Sequence, residues 1–346
     1  MDMPTFLGVD LATWWFLVIG GVFTGYAILD GFDLGAGAWH LFLKKEQSRR
    51  IALNAVGPVW DGNEVWLVIG GGALFAGFPP VYATVFSAMY IPIMLFLAVL
   101  IFRAVAIEFR SKEPMAWWRR MWDVLYSGAS IFIALLLGVV LGNVLQGMPL
   151  DANGEFSGNW LSFLNPYAGL VGLTAVALCM VHGGIYLIMK TEGKLYEKLT
   201  RLVRYAMVGF FVLFVGLTLY TLVGFPHLYA HFQERPYGLA LPVLALLSLL
   251  NVPRLLSQQR YRRAFFFSSL SVALLFMVVA FALYPIIIRA SNDVALSLTV
   301  QNASASAASL RLLLTVACIG TPLVAGYTAF VFYTFRGKVK LDETSY

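Results

Sequence analysis

Apolar stretches of about twenty or more residues recur from one end of the chain to the other, and each can cross a hydrocarbon core of roughly 30 Å as an α-helix. A bilayer offers no partner to a bare backbone N–H or C=O, so such stretches must close their hydrogen bonds internally. We read nine spans, at 12–43, 51–78, 80–109, 121–147, 166–190, 203–224, 237–252, 264–287 and 309–335. The expectation is an all-α, polytopic integral membrane protein forming a single membrane domain over 1–346. Only 12% of its residues are charged, half the roughly one-quarter of a soluble domain.

The basic residues set the orientation. Twenty of the 24 lysines and arginines fall at 44–50, 110–120, 190–204, 254–263 and 336–340, alternating with segments nearly free of base. Basic loops stay in the cytoplasm. Nine spans then put the N-terminus outside and the C-terminus inside, where the basic tail agrees. In this arrangement the net charge of +6 reports topology and gives no reason to expect nucleic acid. The first span runs on without a small-residue cleavage site, against a cleaved signal peptide. Cys179 and Cys318 lie in apolar spans and suggest neither a disulfide framework nor a metal cluster. The longest external segments, 148–165 and 288–308, are too short for a soluble domain.

Charges inside the spans are the anomaly. Asp30 and Asp33 are three residues apart on the first span, and Asp61 and Glu64 are three apart on the second, so each pair should face one side of its helix. An ionised group near the bilayer centre costs roughly 2.5–3.5 kcal/mol on insertion scales, so these groups should face protein or water. Arg103 on the third span is the candidate counter-ion, and Glu108 follows toward the cytoplasmic end. A ladder of titratable groups leading inward suits a proton relay. An ion-paired clamp that locks three helices is the alternative. The excess of carboxyls over one arginine favours the relay.

Around them, Gly31, Gly35, Gly37, Gly62, Gly70, Gly71 and Gly72 are read as close-packing positions, and Trp60 and Trp66 as packing residues beside the second acidic pair. Of four histidines, His40 lies near a cytoplasmic helix end, His182 within the fifth span, and His227 and His231 in an external loop. Without a matching second ligand, His182 reads as a packed or hydrogen-bonded histidine rather than a haem ligand. No phosphate-binding loop, haem-attachment motif or His-Glu-x-x-His is present, so no metal site and no catalytic residue is assigned to this chain alone.

The run Asp30-Gly31-Phe32-Asp33-Leu34-Gly35, the run from Gly57 to Leu67 that contains Trp60-Asp61-Gly62-Asn63-Glu64, and Phe102-Arg103 together resemble subunit II of the cytochrome bd quinol oxidase family. Matching segments continue through Gly72–Ala76 and Arg110-Ser111-Lys112 to Tyr284-Pro285 and Asn302-Ala303-Ser304. The resemblance implies a respiratory complex in a prokaryotic cell membrane. Its partner is a subunit I carrying two b-type haems, haem d and the site that oxidises ubiquinol or menaquinol. The complex reduces dioxygen to water with protons from the cytoplasm, so that charge is separated. Carried over by motif, Asp30, Asp33 and Asp61 match positions implicated in proton delivery, and Arg103 and Glu108 extend that route. Trp66 matches the mouth of an oxygen channel in some members. Where the family commonly has glutamine, this chain has Glu64. A structural quinone on subunit II and small accessory single-helix subunits occur in the resemblance's range, but no motif here marks either.

Two other readings compete. A proton-coupled secondary transporter would use the same acids at a midplane site, with broken helices and substrate contacts that the sequence does not display. A purely structural membrane subunit would use them for assembly.

Overall fold

The computed structural model describes residues 5–341. Local sequence starts the helices. α1 (Leu11–His40) is capped by Asp10, whose carboxylate accepts from Thr13 N at 2.8 Å and from the Thr13 hydroxyl at 2.7 Å. α7 (Pro166–Lys190), described below, has Pro166 at its first position and the Asn165 side chain accepting from Ala168 N at 2.8 Å.

The second and third expected spans are each broken. α2 (Glu46–Val56) stops before Gly57-Pro58, and α3 (Trp60–Gly77) begins two residues later. Proline has no N–H to continue the ladder and disfavours helix in the residue before it, so an apolar run that looks continuous turns at this point. α4 (Pro79–Ala88) and α5 (Tyr90–Phe109) divide the third span at Met89, where Pro92 cannot donate to the carbonyl one turn back.

The remaining long helices follow the expected spans, α7 with the same bounds and the others with shifted ends: α6 (Ala116–Gln146), α8 (Gly193–Gly224), α10 (Ala240–Ser257), α11 (Tyr261–Leu283) and α12 (Ala307–Thr334). Among the described residues, eight helical segments are long and apolar enough to cross a membrane. α3, with Asp61, Asn63 and Glu64 in its first two turns, falls outside that set by composition alone.

Two of the segments expected to be external carry structure of their own. One holds α9 (His227–Glu234), and the other folds back as β3 (Ile286–Ile288) against β4 (Leu298–Thr299), following a short hairpin of β1 (Thr5–Phe6) and β2 (Val9–Asp10) at the start of the described chain. Ile286 and Ile287 are therefore extended, although the eighth span was read through them. The Asn292 side chain ties this region to Leu150 through both its N–H and its carbonyl, at 2.9 and 2.8 Å, and Met148 bridges to Ala290.

α1 packs against α3, α6 and α7, and also meets α11 and α12. Its crossing with α7 is backbone on backbone: a Cβ at Gly35 would lie 1.8 Å from the Cys179 carbonyl oxygen, and one at Gly183 would lie 2.4 Å from the Phe32 carbonyl oxygen. Phe32 fills the adjoining core, stacked on Tyr186 at 4.1 Å.

Candidate functional site

Arg103 of α5 is fully buried and joins three helices. Its Nη2 donates to Asp30 Oδ1 of α1 at 2.9 Å, and its Nη1 donates to Glu64 Oε1 of α3. Arg103 thus meets both helices as expected, but through Asp30 and Glu64; Asp33 and Asp61, which a count inward from the basic loops sets at its depth, are not bonded to it among the described residues. Asp33 is held instead by Asn63, whose amide donates to Oδ2 at 2.7 Å and approaches the Leu29 carbonyl at 3.3 Å.

The second acidic pair does not act as a pair. Glu64 turns inward, its side chain 15% exposed, while Asp61 lies on the exposed surface of α3. Asp61 sits in the first turn of α3, where the positive end of the helix dipole favours a carboxylate. It heads a stripe of Asp61, Val65, Val68, Gly72 and Phe75, spaced four and three residues apart and exposed throughout, with Val68 71% exposed. Gly62, Gly71 and Gly72 have open space beside them, so their close-packing role is not met within this chain, whereas Gly70 rests on Phe23. Trp66 is half-buried with its ring against Gly25, and Trp60 is buried in a cluster with Trp122 and Tyr126. Glu108 is partly buried on α5.

The inner site is rich in polar atoms without a protein partner among the described residues: Tyr26 Oη, Asp30 Oδ2, Asp33 Oδ1, Arg103 Nε and Tyr126 Oη. Each such buried group costs roughly 1–3 kcal/mol if left dry. Polar cavities meet that cost with ordered water.

A second buried cluster, which sequence reasoning missed, lies at the end of α1 nearest the basic loops. Asp123 of α6 accepts from Arg110 Nε at 2.5 Å and from Arg49 Nη1 at 2.8 Å, and it shares a hydrogen bond with His40 Nε2. Arg110 also forks onto Glu46, at 3.1 and 2.9 Å. Burial works against the Arg110 charge, but the hydrogen bonds to Asp123 and Glu46 outweigh it and hold the guanidinium above its ordinary pKa. Asp123 and Glu46 each sit beside a strongly basic segment, which reads in sequence as a solvated loop. The available signal was His40 within reach of those arginines.

The sequence profile of cytochrome bd terminal oxidase subunit II matches residues 11–335. The chain belongs to that family. Cytochrome bd-I ubiquinol oxidase subunit 2 of Escherichia coli K12 is 32% identical over 361 residues, covering 95% of each chain. Cytochrome bd ubiquinol oxidase subunit 2 of Bacillus subtilis 168 is 32% identical over 333 residues, covering 95% of this chain and 97% of its own. Among solved structures, bd oxidase from Geobacillus thermodenitrificans shares the fold at a TM-score of 0.78 and 18% identity, over 94% of this chain and 98% of that one. Subunit II is thus a membrane component of a respiratory oxidase complex, and the family implies haem, quinol and a subunit I partner in that complex.

The histidines of this subunit do not fit haem ligation. His182 is buried with Nδ1 on the Ser268 hydroxyl at 2.9 Å and Nε2 on the Ile28 carbonyl at 3.1 Å, and its ring stacks on Phe265 at 4.6 Å. His40 is bound to Asp123, His227 Nε2 meets the Leu145 carbonyl at 2.9 Å, and His231 lies 3.8 Å from Glu234. The reading of His182 as a packed histidine agrees with its surroundings.

Proposed function

We propose that this subunit supports a haem-bearing subunit I, with two b-type haems and haem d, and delivers cytoplasmic protons to it while the complex oxidises ubiquinol or menaquinol and reduces dioxygen to water. The basic loops mark the cytoplasmic side, with the N-terminus outside and the C-terminus inside. Asp30, Asp33, Glu64 and Arg103 hold the protons within the subunit, Glu108 borders them, and Asp61 passes them on.

The observation that carries this reading is Asp61 itself. A carboxylate at the head of an otherwise apolar, exposed helix stripe is costly against lipid, so the α3 stripe is the face that subunit I covers. Behind it, one helical turn away, Glu64 leads to Arg103 and Asp30. Charge is separated because protons reach the partner from the cytoplasm and leave quinol on the opposite side. Trp66, one turn from the same stripe and resting on Gly25, serves dioxygen entry.

Asp61→Asn in the assembled oxidase tests the reading. Oxygen consumption should fall while the haem absorption spectrum stays at the parent level. An assembled variant with parental turnover would leave only the structural role. A purified native complex lacking haem and any haem-bearing partner would instead favour a secondary transporter.

A further inference from the structure

Along α1, Tyr26, Asp30, Asp33, Gly37 and His40 are spaced four, three, four and three residues apart, so they form one stripe on one face of the helix. The four side chains in that stripe are all buried. Gly37 is the notch between Asp33 and His40, and α6 closes onto it. A Cβ there would stand 2.0 Å from the Ser130 hydroxyl oxygen and 3.3 Å from Tyr126 Cζ. The phenol end of Tyr126 therefore lies one turn of α1 from Asp33 on one side and one turn from His40 on the other. Its ring meets the His40 ring edge to face at 5.1 Å, and it is within electrostatic reach of Arg103, Asp33 and Asp30.

Resting on the proton-delivery reading above, we infer that protons enter this subunit through the Asp123–His40 pair and pass Tyr126 to reach Asp33 and Asp30. A structural clamp accounts for Asp123, whose two oxygens are both bonded to cations or to His40. It does not account for the atoms that follow. His40 Nδ1, Tyr126 Oη, Asp33 Oδ1, Asp30 Oδ2 and Tyr26 Oη are all buried without a protein partner among the described residues, and with Arg103 Nε they make up six of the ten such atoms. They lie in order along one stripe and the residues facing it. Water between them satisfies these groups and completes a hydrogen-bonded file.

The chemistry balances within the histidine. Starting from the tautomer with its proton on Nδ1, an O–H bond on the Asp123 side breaks as an N–H bond forms at Nε2, and the N–H bond at Nδ1 breaks as an O–H bond forms on the water beside Tyr126. The ring ends in the other tautomer and resets before the next transfer. At the cytoplasmic end, Arg49 covers Asp123 Oδ2 with a side chain 19% exposed, the point where solvent reaches the pair.

The test compares Tyr126→Phe and His40→Gln with Asp33→Asn in the complete two-subunit oxidase. The haem absorption spectrum reports assembly. Tyr126→Phe keeps the ring and removes only the hydroxyl. Its turnover should fall about tenfold to a hundredfold, with a larger solvent isotope effect and slower deuterium exchange of the buried carboxyl groups by infrared spectroscopy. His40→Gln should behave alike. If both match the parent in all three readouts while Asp33→Asn is slowed, protons reach Asp33 by another entry and the inference falls. If Asp33→Asn also matches the parent, the delivery reading itself falls. A high-resolution cryo-EM map of the unmodified complex gives an arm independent of any variant. Ordered water joining His40 Nδ1, Tyr126 Oη and Asp33 supports the route, and a dry gap overturns it.

Discussion

Replacing Arg103 with methionine removes a charge and leaves a side chain of comparable length in the same slot. Asp30 is fully buried and Arg103 is the one cation bonded to it among the described residues, so the variant strands that carboxylate. Breaking a buried pair from one side costs roughly 3–5 kcal/mol. Glu64, 15% exposed at the α3 surface, can turn toward its neighbours and adds less. The assay is thermal unfolding of the purified complex, followed by tryptophan fluorescence and haem absorbance and compared with the parent. The unfolding temperature should drop by several degrees. Adding Asp30→Asn should recover most of the loss, and Arg103→Lys should recover part, as a point charge cannot fork between two carboxylates. A variant that melts with the parent, or one that Asp30→Asn fails to rescue, would refute the buried-pair account.

Asp123→Ala should abolish assembly or cost about 3–5 kcal/mol, because it leaves the buried Arg110 and His40 without that partner; Arg119→Ala, at a 3.5 Å pair whose members are 34% and 43% exposed, should shift unfolding by less than about 1 kcal/mol. Gly35→Ala should block the α1–α7 crossing and remove the folded subunit from membranes, whereas Gly62→Ala, with open space beside it, should leave the subunit's own fold intact when both are measured by protease resistance. On the external side, burial holds the His227 imidazole below its ordinary pKa, helped by Arg289 and opposed by its bond to the Leu145 carbonyl. The unfolded chain therefore binds the proton more readily, so this contribution is present at high pH and is lost as pH falls through about 6.5. Amide exchange around 225–235 should quicken at pH 5.5 relative to pH 7.5 after correction for intrinsic rates, and His227→Gln should remove that dependence.

What the sequence could and could not reveal follows from the physics of each element. α7 coincides with its expected span of 166–190, because Asn165-Pro166 starts it and the charged Lys190 stops it. The Arg103 contact with the first two helices was legible because an isolated arginine in hydrocarbon demands an acid, and the nearby spans supplied one each. The break at Gly57-Pro58 was not. Hydropathy averages over a window, and an apolar run reads as one helix whether or not the backbone turns within it. Asp61 and Glu64 both follow that turn on α3, about 60° apart around the helix, so one lies on its exposed face while the other meets Arg103. The Asp123 cluster was hidden for a different reason: Glu46, Arg49 and Arg110 lie in or beside segments dense in charge, and charge density alone cannot tell a solvated loop from a buried network.

The span between Asp30 and Arg103 has a consequence for how the chain is made. Seventy-three residues separate the two, and α1 leaves the ribosome first. At about 5–20 residues per second, α5 follows only about 4–15 s later. Through that interval the carboxyl groups of α1 have no arginine to meet, and each would cost roughly 2.5–3.5 kcal/mol in hydrocarbon. The first helix therefore cannot settle into lipid on its own schedule. It must wait beside the insertion machinery, or protonated, until α5 arrives, which makes partition of the first five helices a single joint event.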